Sequence, residues 1–204
     1  MGCLTQFMQQ MVDARKALQC QSSRPTCTLP TNPTKYICFE EFVIANGKEY
    51  VSEPLTPDEN RIFIESSKRT LLYLQKRDFP IKECFVNSQR LMFGDRSNLI
   101  RYVEGYVLCG GIIPFPIHHG WLDLNGKVID VTLRSHPDDP PVSKRRRDKF
   151  ANRAIGEFSP CREYFGVVFS DDYVKQYMEE TMSLGSLIDD VERGFPLMMG
   201  KVPF

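Results

Sequence analysis

Apolar residues recur along this chain with two different periods. Over residues 1–20, Leu4, Phe7, Met8, Met11, Val12 and Leu18 return at helical spacing and predict an amphipathic helix. Residues 21–35 (QSSRPTCTLPTNPTK) hold three prolines and predict a loop. The segment YICFEEFVI, the pair Asn46-Gly47 and the following KEYV predict a β-hairpin. A helix then starts at Thr56, where Thr56 suits the N-cap, Pro57 the first helical position and Glu59 closes a capping box. It runs through Ile62, Leu71 and Leu74 to about Lys76. Asp78-Phe79-Pro80 breaks it, and ECFVNSQRLMF predicts a second helix beginning close to Cys84. Residues 99–109 (LIRYVEGYVLC), rich in β-branched and aromatic side chains, predict a strand that ends at Gly110-Gly111.

The strongest hairpin signal is Asn125-Gly126, flanked by IHHGWLDL and KVIDVTL. Residues 134–160 break the pattern with Pro137, Pro140, Pro141 and the run Lys144-Arg145-Arg146-Arg147-Asp148-Lys149, and predict an exposed arm or lid. EYFGVVF (163–169) predicts a last strand, followed by helices from about Asp171 to Met182 and from about Leu184 to Arg193. This order predicts an α+β fold with an antiparallel sheet, not a doubly wound α/β fold. The chain reads as a single domain over 1–204. Residues 1–35 form an N-terminal helix and loop, 56–133 and 163–182 a core, and 134–160 an arm.

Composition narrows the function classes. The 204 residues are 42% hydrophobic and 25% charged, ordinary values for a globular chain with a real core. Twenty-six basic and 26 acidic residues cancel, which disfavours a protein held on nucleic acid by overall charge. The basic run at 144–149 would still suit an acidic partner or nucleic acid locally, against the plainer reading of a solvated loop. No stretch is long and apolar enough for a membrane span, and MGCLTQFMQQ lacks the regions of a secretion signal. No Walker loop, G-x-S-x-G or dinucleotide fingerprint occurs, and no cofactor is implied. The seven cysteines are odd in number and include no C-x-x-C, so the thiols read as reduced and the location as cytoplasmic.

One thiol then stands out. Cys84 falls in the first turn of a predicted helix, where free N–H groups and the helix dipole favour a thiolate. The plainer reading is a buried, inert cysteine. If Asn125-Gly126 is a two-residue turn, Trp121 faces Asp130 and His119 faces Thr132. His119 and Asp130 are then diagonal neighbours on one sheet face, about 7–8 Å apart at Cα and within side-chain reach. His118 points to the other face, beside Ile129, Val131 and Leu133. A three-residue turn would reverse the choice. Thiol, imidazole and carboxylate in these relations are the general form of a nucleophilic triad. Cys84 would attack, His119 would shuttle the proton, Asp130 would fix the tautomer, and the Cys84 N–H would supply one oxyanion donor.

These residues also carry a resemblance. E-C-F-V-N-S-Q-R-L, Y-V-E-G-Y, H-G-W-L-D-L-N-G-K-V-I-D-V-T and Y-F-G-V resemble a papain-like, transglutaminase-type cysteine hydrolase core, as in small bacterial and bacteriophage proteins. The resemblance covers about 56–133 well and 163–177 weakly. It implies a nucleophile-bearing helix packed on an antiparallel sheet, and a triad of Cys84, His119 and Asp130 acting on a protein or peptide-like substrate. Leu133 stands where such cores carry an aromatic residue, and the 134–160 arm is peculiar to this chain.

Four more residues are candidates for substrate binding or oxyanion support. Asn87, one turn after Cys84, would orient the site or a substrate amide. Glu104 and Tyr106 share a strand face with Tyr102 and would line the pocket. Trp121 would shield the imidazole–carboxylate pair. Cys109 is a rival nucleophile, and a metal site from Cys84, Cys109, His118 and His119 would need four ligands to converge without close cysteine pairs. The leading expectation is a cysteine hydrolase or acyltransferase. Peptidase, amidase, deamidase and transglutaminase remain open within it. The alternatives are a scaffold with a residual triad that binds a host or partner protein through the basic arm and N-terminal helix, and a nucleic-acid-binding accessory protein using Lys144, Arg145, Arg146 and Arg147.

Overall fold

A computed structural model describes residues 2–21, 35–76, 83–109, 115–133 and 162–201. The arm at 134–160, with Lys144, Arg145, Arg146 and Arg147, lies outside the described residues. In chain order the elements are α1 (Cys3–Gln21), α2 (Phe39–Asn46), β1 (Lys48–Tyr50), α3 (Pro57–Lys76), α4 (Cys84–Gly94), β2 (Arg101–Cys109), β3 (Ile117–Leu124), β4 (Lys127–Ile129), β5 (Arg162–Phe169) and α5 (Asp171–Thr181). The fold is α+β, with an antiparallel sheet in the order β1-β5-β2-β3-β4.

The sheet curls until its outer strands meet. Val51, just past β1, takes a hydrogen bond from Val128 N at 3.1 Å and donates its own N–H to Gly126 O at 3.3 Å. One face encloses Tyr50, Val103, Val107, Cys109, Trp121, Val128 and Tyr164. The other face, with Tyr102, Tyr106, Leu122, Leu124, Phe165, Val167 and Phe169, builds the larger core with α1, α2, α3, α4 and α5. Room for the Trp121 ring comes from Gly166, while its partner Gly105 lets the β5 backbone come close. Gly105 and Gly166 are cross-strand partners, and a Cβ on Gly166 would stand 2.5 Å from the Trp121 ring.

Local chemistry explains most boundaries. The capping box forms as predicted, Thr56 N to Glu59 Oε2 at 2.8 Å and Glu59 N to Thr56 Oγ1 at 3.2 Å. Asn125 and Gly126 both take positive φ, 57° and 85°, and close a two-residue turn pairing Leu124 with Lys127 and Leu122 with Ile129. Two expectations are corrected. Residues 39–46 are helix, not strand, because Phe42 and Val43 are buried together one turn from Phe39, which is spacing three and four rather than two. Gly47 ends that helix in extended backbone, and a Cβ there would lie 2.6 Å from Val43 O and 2.7 Å from Gly166 O. Residues 184–193 are turns, not helix. There the amides of Leu187 and Ile188 donate to the buried Glu104 carboxylate, at 2.8 and 3.1 Å, instead of to helical carbonyls.

Candidate active site

Helix α4 opens at Cys84, and its first turn lies directly on β3. Ser88 Oγ donates to Gly120 O at 3.1 Å. A Cβ on Gly120 would stand 2.9 Å from Phe85 Cδ1 and 3.2 Å from Phe85 Cα. Only the bare backbone of Gly120 lets the helix start come this close. The approach brings the Cys84 thiol into hydrogen-bonding range of the His119 ring. Both residues are buried, Cys84 at 8% and His119 at 3% exposure.

The diagonal pair forms on the register the turn dictates. His119 Nε2 lies 2.8 Å from Asp130 Oδ2, which leaves Nδ1 as the ring atom that can serve the thiol. Asp130 is bound on every side. Oδ1 accepts the backbone N–H of Thr132 and of Leu133, each at 2.9 Å, an Asx turn that the D-x-T sequence encodes. Oδ2 also accepts the Tyr164 hydroxyl at 2.9 Å. Arg162 donates to Leu133 O, tying the same turn to β5. Asn87 Nδ2, from α4, reaches Thr132 Oγ1 at 3.4 Å. The carboxylate turn is therefore held from both α4 and β5.

Electrostatics follow from this geometry. Burial works against charge on His119, yet the Asp130 carboxylate and the neighbouring Cys84 outweigh it and raise the imidazole to about 10. Burial likewise opposes the Asp130 charge, and His119 with the two turn amides overcomes it, holding the carboxyl down at about 2. The pair is an imidazolium–carboxylate pair at neutral pH.

The other sequence candidates sort by face. Trp121 stacks on His119, centroids 6.4 Å apart at 16°, and seals it on the enclosed side with Tyr164 and Tyr50. Asn87 is fully buried and braces the Asp130 turn instead of facing a substrate. Glu104 and Tyr106 do not line the His119 side, because β2 pairs them with Gly120 and His118 on the opposite face. Glu104 accepts Tyr102 OH at 2.9 Å and Ser186 Oγ besides the two amides, so it clasps the C-terminal segment. Leu133 packs with the Trp121 cluster and not with His118, whose neighbours are Phe39, Phe85 and Tyr106. Cys109 ends β2 inside the Trp121 cluster, where burial pushes its thiol up. His118 and His119 face opposite sides, so the four ligands weighed for a metal do not converge. Among the described residues no group of three or more His, Cys, Asp or Glu is arranged to hold a metal ion.

The sequence reading missed Tyr164, Gly120 and the Thr132 and Leu133 amides. The Asx turn had a signal in D-x-T; Tyr164 had none, since it bonds Asp130 across 34 positions of chain. Comparison of the chain with family models, with curated proteins and with solved structures finds no match.

Proposed function

We propose that this chain is a cysteine-dependent hydrolase or acyl-transfer enzyme of papain-like, transglutaminase-type architecture, acting on an amide or isopeptide-type bond. The observation that carries the reading is the buried His119–Asp130 pair at 2.8 Å with Cys84 in hydrogen-bonding range of the same ring. In the reaction Cys84 sulfur attacks the acyl carbon, and the carbonyl oxygen gains the negative charge. The Cys84 N–H, in a first helical turn with no intrahelical acceptor, is the oxyanion donor at hand. Collapse breaks the C–N bond, and His119 gives its proton to the leaving amine. A water or a second amine then loses a proton to His119, attacks the thioester and frees the thiol. Asp130 keeps the ring oriented throughout.

Limited iodoacetamide labelling at pH 7 with peptide mass spectrometry tests the reading. Cys84 should be modified first, and His119→Ala should abolish its advantage. Preference for the exposed Cys3, or labelling indifferent to His119, would remove the proposal.

A further inference from the structure

The carboxylate that meets His119 stands just outside the sheet's ladder. Strand β4 ends at Ile129, one residue before Asp130. The turn that follows is shaped by the amides of Thr132 and Leu133, which both donate to Asp130 Oδ1. Those two bonds close the turn on itself and do not fasten it to another element. Side chains from elsewhere do that. Asn87 of α4 reaches Thr132 Oγ1 at 3.4 Å, the long end of a hydrogen bond. Strand β5 supplies two firmer ties, Tyr164 OH to Asp130 Oδ2 at 2.9 Å and Arg162 to Leu133 O.

Strand β5 is a rigid base for both. Tyr164 pairs with Val107 of β2 on one side and with Tyr50 of β1 on the other, so its backbone is laddered from two directions. Its ring meets Trp121 edge to face, centroids 5.2 Å apart, and Trp121 in turn stacks on His119. That packing does not call for a hydroxyl. Tyr164 is only 3% exposed, and a phenol buried so deeply is favourable when its O–H finds an acceptor. The acceptor is Oδ2, the same oxygen that stands 2.8 Å from His119 Nε2. Two side chains from different strands thus converge on one oxygen. A carboxyl group that turned about its Cβ–Cγ bond would lose both. Burial and the Asp130 charge hold the phenol well above its ordinary range, so it stays a donor whatever the state of the imidazole.

We infer that Tyr164 is a positioning residue for the His119–Asp130 pair: its hydroxyl holds Asp130 Oδ2 in line with the imidazole, and Arg162 fastens the same turn. The inference rests on the proposed function for what the aligned imidazole does in catalysis, while the alignment itself is tested without the reaction. The titratable and charged groups around the pair are Cys84 from α4, Cys109 from β2, and Tyr164 and Arg162 from β5, with Tyr50 of β1 beyond Trp121.

The test titrates the His119 ring by NMR in wild-type protein and in Tyr164→Phe, which keeps the ring against Trp121 and removes only the hydroxyl. The Asp130 carboxylate raises the wild-type imidazole to about 10. With Oδ2 free to turn away, His119 should hold its proton about tenfold less tightly or weaker still, and its midpoint should fall toward the ordinary 6.5. Lost packing alone would lower stability without moving that midpoint. An unchanged midpoint in folded Tyr164→Phe would overturn the inference. So would a raised midpoint, which would show that the phenol only draws charge from Oδ2. Loss of folding would assign the hydroxyl to the core and overturn it as well. Iodoacetamide labelling of the wild-type protein judges the thiol separately. A fallen midpoint together with no preference for Cys84 keeps Tyr164 as the anchor of Asp130 and removes the cysteine enzyme.

Discussion

Asp130 concentrates more of the candidate site's hydrogen bonding than the Cys84 thiol does. Two amides, a phenol and an imidazole all donate to one carboxylate, so its charge is stabilised without solvent. The consequence is a definite dependence of stability on pH. Asp130 sits below its ordinary 3.8, so its contribution is full above that value and is lost as pH falls toward about 2. His119 sits above its ordinary 6.5, so its contribution is full below that value and is lost as pH rises through about 10. Both are present together between roughly pH 4 and 6.5. Asp130→Asn should therefore cost about 3 kcal/mol in urea unfolding at pH 5.5, and visibly less at pH 10. An equal deficit at the two values would show that His119 is not charged by this partner.

At the scale of elements, the site depends on how closely α4 can lie on β3. Gly120→Ala places a methyl 2.9 Å from Phe85 Cδ1 and 3.1 Å from Tyr102 OH, and the helix start must lift away. The expected cost is about 1–3 kcal/mol of stability, with Cys84 alkylation slowed about tenfold or more by the displaced thiol. Thr56→Ala, which removes the α3 cap, should cost about 1 kcal/mol and leave alkylation untouched. Equal alkylation rates in both variants would count against the role given to Gly120. How much was legible in the sequence follows the range of each interaction. The start of α4 at Cys84, the α3 capping box and the β3–β4 turn are fixed by residues within a few positions of one another, and all three stood in the sequence. So did the pairing of His119 with Asp130, because an Asn-Gly turn transmits its register along two strands. Helix α2 did not, since Phe, Val and Ile favour strands and only the spacing of Phe39, Phe42 and Val43 betrayed the helix. The turns at 184–193 were hidden for another reason. Their amides are satisfied by Glu104, more than 80 positions earlier, and no local pattern announces that.

For the molecule as a whole, Glu104 is the joint between the sheet and the C-terminal segment, where Gln89 adds a clasp on Gly185 through both its amide atoms. Glu104→Ala would leave two buried N–H groups without an acceptor and cost about 3–5 kcal/mol. Amide hydrogen exchange should then show Leu187 and Ile188 opening well before global unfolding. Unchanged protection at those two amides would show that packing alone holds the segment. The closure of the sheet at Val51 has a different consequence. Adjacent histidines on opposite faces make this chain vulnerable to a pairing error, since sliding β3 by one position would present His118 where His119 belongs. Such a slip would also turn the buried Trp121, Leu122 and Leu124 to the wrong faces. Here the same slip would also tear β4 from Val51, so a misthreaded chain loses its ring closure along with the His119–Asp130 pair, and the wrong histidine has no well-formed fold in which to persist.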